Sequence, residues 1–197
     1  MLWKITPLFA TFLSDKTNPF FKASILTPTS AILELGSGIS PLTALTLSPL
    51  ISQGHYTLTD QSYVQKLISL NLSDNRSPKN IKFRTLDWEQ DEVTKDLTPA
   101  GSFDMVLAVD CVYNESLVKP LVQTLRDACR LKGDEGGECI AVVAQQLRSD
   151  DVFQSWLKEF HKEFQTWRLE DLAVLDGLRP DDGFVVHIGV LRTKGSC

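Results

Sequence analysis

Histidine and cysteine are scarce in this sequence, and their placement excludes more than their number does. The three histidines are His55, His161 and His187, and the four cysteines are Cys111, Cys129, Cys139 and Cys197. No C-x-x-C pair occurs and no histidine stands at ligand spacing from a cysteine, so no structural zinc site is expected. The histidines fall in unrelated stretches and are expected to be core or surface residues, not ligands or a catalytic base. The cysteine spacing offers no framework of the kind that staples secreted domains, and a reducing compartment is the simpler expectation. No apolar run reaches the ~20 residues of a membrane-crossing helix. The first residues lack a basic stretch followed by an apolar core, so no secretory leader is expected. Positive charge is short as well: 20 Lys and Arg against 25 Asp and Glu give a net charge of −5. That balance argues against general nucleic-acid binding, which wants a basic surface. It is compatible with a basic protein partner and equally with none.

What is present is an ordinary globular composition, 43% apolar and 23% charged over 197 residues, enough for one domain with a real core. The expected layout is a single domain over 1–197, with an N-terminal helix and loop to residue 30 and a core from 31 onward. Apolar spacing over Leu8, Phe9, Phe12 and Leu13 predicts a short amphipathic helix. An element this apolar, begun at Trp3, leads to the expectation of a truncated or alternative start. Residues 15–30 read as loop, with one helical turn near Phe20–Leu26. Strands are predicted at Ala31–Leu35, His55–Thr59, Ile81–Leu86, Phe103–Val109 and Cys139–Ala144. Helices are predicted at Pro41–Leu50, Ser62–Leu72, Leu117–Leu131 and Asp151–Phe164. A turn is predicted at Gly133–Gly137, a short strand at Trp167–Leu172 and a last strand at Phe184–Leu191. Strands alternating with helices imply an α/β fold, a doubly wound, mostly parallel sheet with helices on both faces. The last two strands lack an intervening helix, so an antiparallel strand is expected near the C-terminus.

The stretch Ala31–Ser40 carries the first chemical signal. An apolar run ends in Glu34, then comes the turn Gly36-Ser37-Gly38, then an apolar helical segment. A buried strand handing over to such a turn leaves the backbone open to close approach by a ligand. The free N–H groups of the following helix suit a carboxylate or phosphate. A plain strand–turn–helix link is one meaning of this turn and a dinucleotide site is another. The third glycine of the dinucleotide pattern is here Pro41, which cannot give the close helix–strand packing that pattern needs. An S-adenosylmethionine site of E/D-x-G-x-G type does not need it. No Lys or Arg stands in the turn, as a triphosphate site would want.

Three further strand tips decide the matter. Asp60 lies 24 residues beyond Gly36, near the distance at which a carboxylate takes ribose hydroxyls. Asp87-Trp88 offers a flat apolar face for adenine and an acceptor for its amino group. Asp110 closes the fourth strand. Singly, Asp60 reads as a turn acid and Trp88 as a packing residue; at successive tips they suit one adenosyl ligand, with the glycine turn left for its methionyl end.

Glu34-Leu35-Gly36-Ser37-Gly38, Leu58-Thr59-Asp60, Leu86-Asp87-Trp88 and Asp110-Cys111-Val112-Tyr113 together resemble the seven-β-strand protein-lysine methyltransferases of the methyltransferase-like class. With Trp3-Lys4-Ile5-Thr6-Pro7 at the start, the sequence is most similar to the fungal ribosomal lysine N-methyltransferase 5 branch, from Trp3 to Leu191. The resemblance implies a Rossmann-like seven-stranded sheet and S-adenosylmethionine as cofactor, with S-adenosylhomocysteine as product. It implies cofactor contacts at Trp3, Gly36, Ser37, Gly38, Asp60, Trp88 and Val109, and catalytic-face residues at Asp110 and Tyr113; Glu34 and Asp87 join the expected cofactor contacts from their own places at the strand tips. It implies a protein substrate presenting a lysine, a ribosomal protein among the candidates, and a monomer working in the cytoplasm with the nucleus as a second compartment. No metal, membrane or direct nucleic-acid partner is expected. Two departures stand out: Ser40 replaces a glycine common among relatives, and the family's extension before the tryptophan is missing. The alternatives are a catalytically weak or inactive cofactor-binding interaction module, a small-molecule methyltransferase and, less well, a nucleic-acid one. The N/D-P-P-Y type motif used on planar amino groups is absent. The acidic run Asp87, Glu89, Asp91, Glu92 reads first as a solvated loop and second as a lure for a basic substrate.

Overall fold

The computed structural model describes residues 3–133, 137–170 and 177–192. The chain begins with α1 (Ile5–Ser14) and a single turn, α2 (Pro19–Lys22). Ile5, Phe9 and Leu13 recur at helical spacing on the buried face of α1, and a fully buried Phe or Leu contributes about 1.5–3 kcal/mol. Asn18 joins the two helices. Its Oδ1 accepts from the N–H of Phe20 and Phe21 at 2.9 and 3.1 Å, and its Nδ2 donates to the carbonyls of Phe12 and Leu13. The N-terminus of one helix and the C-terminus of the other are thus satisfied by one buried side chain.

The core alternates as β1 (Ala31–Leu35), α3 (Leu42–Leu47), β2 (His55–Asp60), α4 (Gln65–Asp74), β3 (Ile81–Thr85), β4 (Met105–Val109), α5 (Glu115–Arg130), β5 (Ile140–Gln146) and α6 (Asp150–Glu163). It closes with β6 (Phe164–Arg168) and β7 (Phe184–Leu191). The strands form one sheet in the order β3-β2-β1-β4-β5-β7-β6. β1 pairs in parallel with β2 and β4, β2 with β3 and β4 with β5, while β7 runs antiparallel between β5 and β6. Every residue of β1 and β4 is buried, because both faces are covered and an alternating polar face has nowhere to go. Ile32, Leu107, Val109, Val142 and Ala144 pack under α1 and α3. Leu33, Leu35, Val106, Ala108 and Val143 pack on the other face, toward α5 and α6.

The departures from the sequence expectation are local. The helix expected over Pro41–Leu50 stops at Leu47, the helical turn expected at Phe20–Leu26 is Pro19–Lys22, and the helix predicted from Ser62 begins as a 3-10 turn over Ser62–Val64. The strand expected at Trp167–Leu172 is Phe164–Arg168. Phe164 stacks on Phe160 at 4.4 Å between ring centroids, so it extends the apolar face of α6 while its backbone has already turned into β6. Residues 171–172 of that expected strand, and 134–136 of the expected turn, lie outside the described residues. His187 is a core residue, buried on β7 with its ring 5.2 Å from that of Trp156. Burial pushes its pKa down to about 4.

Candidate active site

From β1 the chain first moves outward to β2 and β3, then returns to add β4 and β5 on the other side. The reversal leaves a crevice beyond the C-terminal ends of β1 and β4, where open α/β sheets take their ligands. A cavity of about 230 Å³ lies there. Its walls include Trp3, Gly36, Gly38, Asp60, Trp88 and Tyr113, and also Asp87 and Asp110. Glu34, Ser37 and Val109 line a smaller cavity of about 30 Å³ that shares Trp3, Gly36 and Gly38 with the first. The eleven residues singled out in the sequence therefore come together from four strand tips and the N-terminal segment.

The glycine turn is fixed by its neighbours. Gly36 and Gly38 have φ of +63° and +61°, angles that favour a residue without Cβ. A Cβ on Gly36 would lie 2.8 Å from Cys111 Sγ and 2.9 Å from Trp88 Cζ2, whereas one on Gly38 would meet nothing within 4 Å. Gly38 N–H donates to Asp60 Oδ2 at 2.8 Å and Gln61 N–H donates to Asp60 Oδ1 at 2.7 Å. The Asp60 carboxylate is thereby held at the crevice, with acceptor capacity left on both oxygens. Asp87 accepts from Glu89 N–H at 2.9 Å and from Gln61 Nε2 at 3.2 Å. Trp88 Nε1 is buried and has no hydrogen-bond partner among the described residues. The run of acids splits in two: Asp91 closes the loop by accepting from Asp87 N–H, and Glu89 and Glu92 face solvent.

Glu34 lies deepest. It is 3% exposed, and Tyr56 Oη donates to its Oε2 at 2.5 Å. Burial pushes its pKa up to about 7, and the tyrosine hydrogen bond opposes that rise. Cys111, on the far side of the turn, donates its thiol to Leu35 O at 3.1 Å. Burial and the carboxylates of Glu34, Asp60 and Asp110 raise its pKa well above the usual thiol value, so it is a packing residue and not a nucleophile. Tyr113 is 60% exposed at the mouth, beside Tyr63 at 76%. Desolvation, reinforced by Tyr63, raises the Tyr113 phenol pKa, keeping it protonated.

Tyr63, at the mouth, and Arg148, beside Asp110, were not singled out in the sequence. Asp110, at φ +61°, is gripped by Arg148, whose Nη1 donates to Oδ1 at 2.8 Å and Nη2 to Oδ2 at 2.5 Å. Gln146 N–H adds a bond to Oδ1 at 3.2 Å. Arg148 stands two residues past β5, and carrying the strand-tip rule one strand further would have found it. Among the described residues no group of three His, Cys, Asp or Glu is arranged to hold a metal ion, and no helix is long and apolar enough to cross a membrane.

A glycine turn at the switch point of a 3-2-1-4-5-7-6 sheet, flanked by an acid on β2, defines the methyltransferase class of α/β fold. Human N-acetylserotonin methyltransferase, solved in complex with SAM, superposes with a TM-score of 0.60 at 12% identity, covering 96% of this chain and 52% of that one. Residues 1–160 match the lysine methyltransferase family, and the chain belongs to that family. A Candida glabrata protein named ribosomal lysine N-methyltransferase 5 is 25% identical over 83% of this chain and 64% of its own length. A Schizosaccharomyces pombe protein named diaminohydroxyphosphoribosylamino-pyrimidine deaminase is 34% identical over 84% of this chain but only 38% of its own. Zinc deaminases of nucleobases carry a C-x-x-C ligand pair, which this sequence does not have. The chain thus spans between about two fifths and two thirds of these curated relatives.

Proposed function

We propose that this chain is an S-adenosylmethionine-dependent protein-lysine N-methyltransferase, with a ribosomal protein as the substrate class suggested by the fungal relatives' names. The observation that carries the reading is the convergence of Gly36 and Gly38, Asp60, Trp88 and Tyr113 on one cavity at the switch point. The residues fit the cofactor: the Cβ-free side of Gly38 is open, Asp60 has acceptor capacity for two ribose hydroxyls, and Trp88 presents an aromatic wall. Asp60 would hold the ribose, Trp88 and Asp87 the adenine, and Glu34, Ser37 and Val109 the methionyl end beneath Trp3. When bound, the cofactor supplies a methyl group activated by its sulfonium. The protein's own work is alignment, because in-line attack demands a positioned amine. Tyr113 and Tyr63 line the mouth, and aromatic rings suit a lysine side chain. A lysine with a reference pKa near 10.4 must lose its proton to react, so the exposed tyrosines of the mouth would receive the charged side chain and the proton would leave to solvent as the amine moves inward.

Titration calorimetry with S-adenosylhomocysteine should give binding that Trp88→Ala weakens about tenfold or more. Labelled S-adenosylmethionine and a cell extract should give transfer that trypsin treatment of the extract abolishes. Label surviving trypsin points to a small-molecule or nucleic-acid substrate, and no binding at all sinks the reading. One observation favours a second reading, a cofactor-binding module without transfer: both Asp110 oxygens are engaged by Arg148. Binding with no transfer to any extract protein would select it.

A further inference from the structure

Arg148 does two things at once. Its forked guanidinium holds Asp110, whose side chain has no exposed surface, and its Cζ lies over the Trp3 ring, 5.0 Å from the centroid. Asp110 is fixed from behind as well, since its N–H donates to Ala144 O at 2.7 Å and its Oδ1 accepts from Gln146 N–H. Trp3 is 45% exposed yet walls both cavities of the site. A rigid anchor at the β4 tip is therefore joined, through one guanidinium, to a wall supplied by the N-terminal segment.

We infer that Arg148 is a positioning residue that pins Trp3 to Asp110 and so sets the width of the ligand groove at its glycine-turn end. The inference rests on the S-adenosylmethionine reading of that groove. A guanidinium can donate in its plane and stack on its face at the same time. A lysine ammonium cannot do both, although it preserves the charge balance around Asp110.

A double-mutant cycle on the full chain tests this, with S-adenosylhomocysteine as the probe in calorimetry. Arg148→Met and Trp3→Ala should each weaken binding about three- to fivefold, the range of an exposed cation–π contact. The double variant should be no weaker than the worse single one, because both remove one device. Arg148→Lys covers the case in which Arg148→Met fails to fold, and should weaken binding to a similar extent. In the ligand-free protein, the Trp3 indole N–H signal, assigned by its loss in Trp3→Phe, should sharpen and shift toward the free-indole position in Arg148→Lys. An additive cycle, unchanged binding by Arg148→Lys or an unmoved Trp3 signal overturns the inference while leaving the cofactor reading intact. Absence of binding by the wild-type chain overturns both.

Discussion

Glu34 and His187 should oppose each other in the pH dependence of stability. Burial raises the Glu34 carboxyl from 4.5 to about 7 and lowers the His187 imidazole from 6.5 to about 4. Between pH 4.5 and 7 the folded chain keeps a proton on Glu34 that the unfolded chain releases. That stabilisation is fully present below pH 4.5 and lost as pH rises through 7. Between pH 4 and 6.5 the unfolded chain protonates His187 and the folded chain does not. That stabilisation is fully present above pH 6.5 and lost as pH falls through 4. Each group accounts for about one proton, hence a slope of about 1.4 kcal/mol per pH unit and about 3 kcal/mol across its window. From pH 4.5 to 6.5 the slopes have opposite sign and cancel. Glu34→Gln should uncover the histidine: relative to wild type, its unfolding free energy should climb by about 3 kcal/mol from pH 4.5 to 7. His187→Asn should tilt the difference the other way. Urea titrations at half-unit steps would measure both. A Glu34→Gln profile parallel to wild type would refute the reasoning, because Glu34 would then not titrate in this window.

The same carboxyl should govern ligand affinity. A methionyl ammonium beside Glu34 prefers its ionised form, so S-adenosylhomocysteine should bind about tenfold more tightly at pH 8 than at pH 6, and Glu34→Gln should flatten that dependence in calorimetry. Gly36→Ala should cost about 2 kcal/mol or more, since strain at φ +63° adds to the contacts with Cys111 and Trp88, whereas Gly38→Ala should cost only about 1 kcal/mol, read by denaturant midpoint. Gly189→Ala on β7 would put a Cβ 2.5 Å from Phe160 Cζ, and should destabilise by about 1–3 kcal/mol on thermal unfolding with little change in cofactor affinity.

The parts of the fold legible in the sequence were those fixed by local burial. β1 and β7 fall at Ala31–Leu35 and Phe184–Leu191 as expected, because β1, buried on both faces, and β7, buried along most of its length, show as mostly apolar runs. α3 ended early and β6 began early because Leu50 and Phe164 remain apolar whichever element they serve. The insertion of β7 between β5 and β6 has no local signature, since pairing order is decided by residues far apart in sequence. In the site, the glycine turn and the acids were legible because each sits at the end of a recognisable run. Arg148 was not, because its meaning depends on Asp110, 38 residues earlier. The closed state of the Asp110 carboxylate is likewise a tertiary fact that no spacing could disclose.

β7 has a consequence for how the chain is made. Among the described strands β6 pairs with β7 alone, and β5 has β7 as its second neighbour. On a translating ribosome, the first five strands emerge able to complete their mutual pairing, while β6 waits unpartnered for residues 184–191. Until those emerge, the backbone of Ile140–Gln146 offers an apolar, unpaired rim. That interval is when a nascent copy is most exposed to sticking to its neighbours, and when a holding chaperone would matter most.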